Sequence, residues 1–486
     1  MSAGREGGAL AIVLHTHMPY VEGFGTWPFG EEWLWEAIAG CYLPLLELLD
    51  EGAPLTLSLT PVLCDQLEAA GLSERFAAFV EGVRRETHEE DVAGLRAGGH
   101  EALALEVERS LGDYTGALES LHRRGGDLLG SLARHAQWTS AATHAVLPLL
   151  ATDAGLRLQL RSGIAAHRAR FGEGWRGGFW LPECGYASWL ERSLEDAGVS
   201  AVCVELTNRF GLGAREHLCP IASESGVLLA PIDRATIKLV WSDAGYPADG
   251  AYRDYHHHTV HHHNPWNNDG GAYERAGAVA VAQRHAADFV ARTVARLRDA
   301  NETPSGDAPL PNGGLVVCAL DTELLGHWWY EGIVWLRAVV EECARQGLEL
   351  LRLDDALERC TPVERERELE LEPSAWRAST WGRDGDLSTW SGPQVDTMAF
   401  AMRAGELQLV AAGERAGAAA VRELLALQAS DWPFMVSRDI AAPYARERFQ
   451  EHQQALARAL AGPQHASVAG LRNLAVHADR AYLLAP

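Results

Sequence analysis

The chain has 486 residues, 47% of them hydrophobic and 22% charged, an ordinary globular composition with length for one large domain and a smaller one. A net charge of −24 excludes nucleic acid and anionic membranes as natural partners and suits a neutral substrate. Eight scattered cysteines form no C-x-x-C pair, no apolar run is long enough to span a membrane, and the N-terminus shows no signal-peptide pattern, so a cytoplasmic protein with reduced thiols is expected.

Ala9–Leu14 is a short apolar run that reads as a fully buried strand. Trp33–Leu49 has helical periodicity, and Pro54–Thr60 alternates as a second strand. Residues 65–135 are rich in Ala, Leu, Glu and Arg without strand signals and predict a helical insertion. Strands follow at Gln137–Thr139, Gly177–Leu181, Ser200–Glu205, Gly226–Ala230, Lys238–Trp241, Gly314–Leu320 and Leu348–Arg352. Helices are expected over Ala187–Ala197, Ala276–Ala300 and Ile333–Gln346. The alternation predicts a parallel α/β structure, barrel-like if its strands close. Beyond Pro393 the texture becomes almost wholly helical, which places a domain boundary near 390–396.

Catalytic groups of parallel barrels sit at the C-terminal ends of strands. Two acids fit that position: Glu183 after GGFWLP and Asp321 after LVVCAL. Trp180 and Tyr186 flank the first, and His327, Trp328, Trp329 and Tyr330 follow the second. Aromatic faces stack on sugars and paired carboxylates perform glycoside chemistry. A single acid here could equally cap the next helix, but two in like positions beside tryptophans favour chemistry. His15 and His17 form an H-x-H directly after the first strand. That pair suits a divalent metal, with His144 and His327 as further ligands, or hydrogen bonds to sugar hydroxyls. HHHTVHHH (256–263) reads as a solvated polar segment.

The stretches LHTHMPY, TSAATHAVLPLL, GFWLPECGY, ALDTELLGHWWYEG and STWGRDGDLSTW occur in this order and resemble the five sequence regions of glycoside hydrolase family 57. LLALQASDWPFM (424–435) is similar to the helical C-terminal domain of its α-1,4-glucan branching members. The resemblance runs from about residue 9 to about residue 460. It implies a (β/α)7 barrel over 1–395 with the insertion at 65–135, and a helical C-terminal domain over 396–486 that contributes to the glucan cleft. It implies Glu183 as nucleophile, Asp321 as general acid/base, and no metal or other cofactor. His15, His17 and His144 would line the donor-sugar subsite, and Trp27, Trp381 and Trp390 would contact glucan. Trp180, His327, Trp328 and Asp431 complete the expected contact set. Trp266 is read either as a sugar platform or as a packing residue.

A retaining mechanism on this plan needs the two carboxyls about 5–5.5 Å apart and an Asp321 kept protonated by burial among Trp328, Trp329 and Trp390 and by the Glu183 charge. An α-1,6 branch results if the acceptor is a glucan 6-hydroxyl, and a shortened chain if it is water. Two departures bear on that choice. Branching members carry a loop tyrosine that favours transfer, yet 208–222 holds no Tyr, and Tyr246 and Tyr252 come later. Ala136, Gln137 and Trp138 stand where such members often carry an acid. An α-amylase or 4-α-glucanotransferase is therefore the alternative on the same scaffold. A metal-dependent hydrolase or deacetylase using His15 and His17 is the alternative from another class, and a non-catalytic glucan-binding protein a further one. The expected partner is an amylose- or glycogen-like α-glucan, acted on by a monomer or a small homo-oligomer.

Overall fold

β1 (Ala9–Thr16) is buried along its whole length, as an apolar strand covered on both faces should be. The computed structural model describes residues 7–25, 30–302, 308–364, 378–462 and 471–484. Trp27 lies outside them. The remaining strands are β2 (Thr56–Leu59), β3 (Ala136–Ser140), β4 (Gly178–Trp180), β5 (Ala201–Val204), β6 (Ile221–Ala222), β7 (Leu228–Pro231), β8 (Leu315–Asp321), β9 (Glu349–Leu350) and β10 (Val363–Glu364).

Seven of these run parallel in the order β7-β5-β4-β3-β2-β1-β8. A backbone hydrogen bond from Asp233 N, just past β7, to Val317 O of β8 at 2.9 Å joins the two ends of the sheet. The expected (β/α)7 architecture is therefore present. β6 pairs antiparallel with β7, β10 extends β6, and β9 pairs with β1. Register sets the site: His15 of β1 lies directly beside Asp321 of β8 and Ser58 of β2. In the barrel wall the Trp138 ring lies over Gly178, where an added Cβ would fall 2.2 Å from the indole nitrogen, so only glycine fits.

The stretch 61–135 is helical, including Arg85–Ala97 and Glu101–Arg123. From 388 onward the described chain is again helical, with Asp396–Ala412, Ala418–Leu427, Asp431–Ser437 and Ala442–Ala461. Glu406 of this region is fully buried against the barrel. It accepts from Ala151 N, Thr152 Oγ1 and Gln428 Nε2 at 3.0, 2.6 and 3.0 Å, so the helices are docked through a satisfied carboxylate.

Lys238–Trp241 is not a strand. Arg234–Ile237 is a helical turn, followed by further turns. Ile237 and Val240, three apart, fill the core while Trp241 is 40% exposed, which is helical spacing that a four-residue apolar run does not reveal. The His-rich segment is not simply solvated. His263 is 5% exposed and its Nδ1 lies 2.7 Å from Asp91 Oδ2, while His261 pairs with Glu90 at 2.9 Å. The helix Arg85–Ala97 therefore anchors it. Among the described residues no three His, Cys, Asp or Glu side chains are placed to hold a metal ion, and no helix is long and apolar enough to cross a membrane.

Candidate active site

β4 ends at Trp180, and the chain turns through Pro182–Cys184 to present Glu183 at the strand's C-terminal end. Glu183 and Cys184 adopt left-handed backbone, φ 61° and 51°, as does His144 at 58°. Such non-glycine conformations cost about 1–3 kcal/mol each and persist where surrounding contacts over-determine them. Here the contacts are explicit. Segment 378–382 pairs with the turn: Tyr186 and Ser379 exchange two backbone bonds of 2.9 Å, and Trp381 N donates to Glu183 O at 3.1 Å. Trp381 Nε1 donates to Glu183 Oε2 at 3.0 Å, and Ser430 Oγ donates to Oε1 at 2.9 Å. Trp381 is itself held by Arg234, which bonds its carbonyl at 3.0 Å and Glu205 Oε2 at 3.3 Å.

A column of flat rings stands beside this carboxylate. His15 stacks on Trp180 at 4.5 Å, and His17 stacks on His144 at 4.0 Å. His15 Nε2 and His144 Nε2 are 2.9 Å apart, and His144 Nδ1 is 2.8 Å from Ser430 Oγ. Ser430 has one proton and gives it to Glu183. His144 Nδ1–H must then donate to Ser430, His144 Nε2 must accept from His15 Nε2–H, and His15 Nδ1 is left facing the Ser58 hydroxyl at 3.5 Å. The chain of donors runs toward the nucleophile position and follows once both imidazoles are neutral. Burial lowers both well below the usual range, and the nearby His17 charge adds to this.

His17 is the exception. Its Nε2 meets Asp431 Oδ1 at 2.9 Å and its Nδ1 meets Thr60 Oγ1 at 3.1 Å. Burial disfavours its charge, but Asp431, followed by Glu323 and Glu183, outweighs burial and raises it. Glu323 is a third, half-buried carboxyl. Its Oε1 accepts from Tyr42 Oη at 2.6 Å and from His17 N at 3.1 Å, and burial pushes it up to about 7. Tyr42 reaches it from a π-helical turn, Ile38–Tyr42, a local insertion of the kind that re-aims side chains at functional sites. Asp321 is raised well above the carboxylate range by burial first, then by the charges of Glu323 and Glu183. Glu183 is raised by burial, against the pull of its Trp381 and Ser430 donors.

The structure thus gathers Glu183, Asp321, His15, His17, His144, Trp180, Trp381 and Asp431. It corrects several expectations. Trp180 is fully buried beneath His15, and so supports the site from below instead of facing open space. Trp390 is 1% exposed and packs under Gly382, steadying the Trp381 turn, and so has no face for glucan. Trp328 is 41% exposed, and Glu323 is the leading charge on Asp321, ahead of Glu183. Trp266 stacks on His257 at 3.9 Å and bridges to Ala272, away from the ring column. Tyr246 and Tyr252 point inward to Asp288 and His285, so neither serves as a cleft tyrosine.

Sequence reasoning missed Ser430, Glu323, Tyr42 and Trp241. Ser430 is adjacent to Asp431, and Glu323 lies two residues past Asp321. Trp241 is exposed and packs against Trp328 at 5.6 Å. Tyr42 carried no local signal.

Residues 137–370 match the model of glycosyl hydrolase family 57, and residues 397–470 match that of the 1,4-alpha-glucan branching enzyme C-terminal region. A 1,4-alpha-glucan branching enzyme of Thermococcus kodakarensis is 31% identical over 92% of this chain and 72% of its own length. A Mycobacterium tuberculosis protein named "Probable 1,4-alpha-glucan branching enzyme" is 32% identical over 98% of this chain and 95% of its own. The crystal structure of the family 57-type branching enzyme of Pyrococcus horikoshii superposes with a TM-score of 0.86 at 30% identity, covering 98% of this chain and 97% of that one. Sequence, fold and the two strand-end carboxyls agree: the chain belongs to glycosyl hydrolase family 57.

Proposed function

We propose that the protein is a retaining 1,4-α-glucan branching enzyme with Glu183 as nucleophile and Asp321 as general acid/base. The observation that carries this reading is the unequal treatment of the two carboxyls. Glu183 has a donor on each oxygen, which favours its ionised form and fixes its orientation. Asp321 lies half-buried beside the charges of Glu323 and Glu183, which favours its neutral form. The Glu183 carboxylate attacks the anomeric carbon while Asp321 gives its proton to the departing glycosidic oxygen. The Asp321 carboxylate then takes the proton of an acceptor 6-hydroxyl, whose oxygen displaces Glu183 and closes the α-1,6 bond.

His17 and Asp431 stand at the mouth of the ring column, placed for donor-sugar hydroxyls, and Trp241 and Trp328 offer exposed faces for glucan. We assign 1–395 to the catalytic part and 396–486 to a helical part that completes the site. The eight cysteines are buried and free, which fits a reducing cytoplasm.

Incubation with amylose tests the function. Proton NMR is expected to show new α-1,6 linkages while reducing ends rise little before debranching and strongly after it. Rising reducing ends without α-1,6 signals would make the protein a hydrolase. Ser430→Ala tests the assembly of the site. Loss of one hydrogen bond to a charged group is expected to lower kcat/KM by about 10- to 100-fold. The donor favours the ionised form, so its removal raises the Glu183 pKa, and the acidic limb of the pH–rate profile should move to higher pH. An unmoved limb would show that Ser430 does not act on Glu183.

A further inference from the structure

Beside the ring column lies a separate cleft of about 370 Å³. Its walls come from the π-helical turn, the inserted helices, the His-rich segment and the loop after Asp321. His327 and Trp328, six and seven residues past Asp321, form the wall nearest the acid. Gly40 of the π-helical turn touches Gly326, and two residues on Tyr42 holds Glu323. The cleft therefore lies along the loop that leaves Asp321, whereas Ser430 and Trp381 bond to the nucleophile.

We propose that this cleft holds the glucan on the acid's side of the scissile bond, first the departing segment and then the acceptor chain that receives the branch. The proposal rests on the transfer reading of the site. A general acid sits at the glycosidic oxygen, so the sugar bearing that oxygen, and later the acceptor hydroxyl, must lie on its side. The lining suits a neutral polyhydroxyl chain. Tyr255, 42% exposed, packs against His327 at 5.6 Å and Trp328 at 6.4 Å, giving faces for pyranose rings. His258 and His262, stacked at 4.1 Å, stand exposed on the facing wall, and Glu36, Asp113 and Arg253 supply fixed acceptors and donors. The His-rich segment is fastened to the inserted helices, since Thr259 donates to Asp91 and His263 packs on His88 at 3.8 Å. Its histidines thus form a fixed wall for sugar hydroxyls.

Two variants test this, His258→Ala with His262→Ala, and separately Tyr255→Ala, each made in the active protein and in a Glu183→Gln background. The active proteins are scored on amylose for α-1,6 linkages per reducing end released. The Glu183→Gln proteins are titrated with maltoheptaose by calorimetry. Each variant is expected to lower the linkage ratio and to weaken maltoheptaose binding about tenfold, the loss of one or two hydrogen bonds or a stacking face. A ratio and an affinity both within about twofold of the parent would overturn the proposal. If the parent forms no α-1,6 linkages, the branching reading fails by itself. The calorimetric titration then decides whether the cleft binds glucan.

Discussion

Glu183→Gln is expected to lower turnover of amylose by about four orders of magnitude or more, the scale of losing a catalytic nucleophile. The amide keeps the shape of the carboxylate but cannot form the ester to the anomeric carbon. Trp381 and Ser430 still find an oxygen on one side, so the fold should hold: the melting temperature and circular dichroism of the variant should match the parent. Substantial residual turnover on amylose would remove Glu183 from the nucleophile's role. Loss of folding would instead assign the residue to the strained turn at 183–184, whose left-handed backbone is held by segment 378–382.

Asp321→Asn is expected to lower amylose turnover by about 10²- to 10⁴-fold, the usual contribution of a positioned general acid. The loss should depend on the leaving group. Aryl glycosides with acidic phenols need little protonation, so they should still acylate Glu183 and show a burst of phenol, followed by slow release. The pH dependence follows from the direction of the shift. Asp321 must be protonated to act as acid and its pKa is raised, so the parent's kcat/KM should persist above the ordinary carboxylate range and fall as pH rises through the raised pKa. In the Asn variant this alkaline limb should be absent. An unchanged limb would transfer the acid's role to another group, Glu323 being the nearest candidate by burial and charge.

How far the sequence foretells this site depends on the reach of each contact. The acids at the ends of β4 and β8 are legible because strand, turn and acid follow one another within a few residues. The H-x-H after β1 is legible for the same reason, although its two histidines take opposite states. His15 is buried among neutral rings, and His17 is paired with an aspartate 414 residues away. Ser430 bonds to Glu183 across 247 residues, and nothing local to either marks the pair. The His-rich segment misleads in the other direction. Its polarity suggests water, but Asp91 and Glu90 on a distant helix anchor it. Trp390 misleads by kinship with Trp381, since packing and not residue type decides which indole meets the cleft.

Both side-chain donors to Glu183 lie beyond residue 378, although the strand that carries it ends at Trp180. During translation the barrel strands are all made before Ser430 leaves the ribosome. An unfinished chain therefore carries Glu183 without its Ser430 donor until synthesis is nearly complete. A nonsense codon ahead of Ser430 is expected to cost at least the factor of about 10 to 100 that loss of this donor alone removes. The chemistry of the barrel is thus tied to the terminal helices, which supply one of the donors that orient its nucleophile.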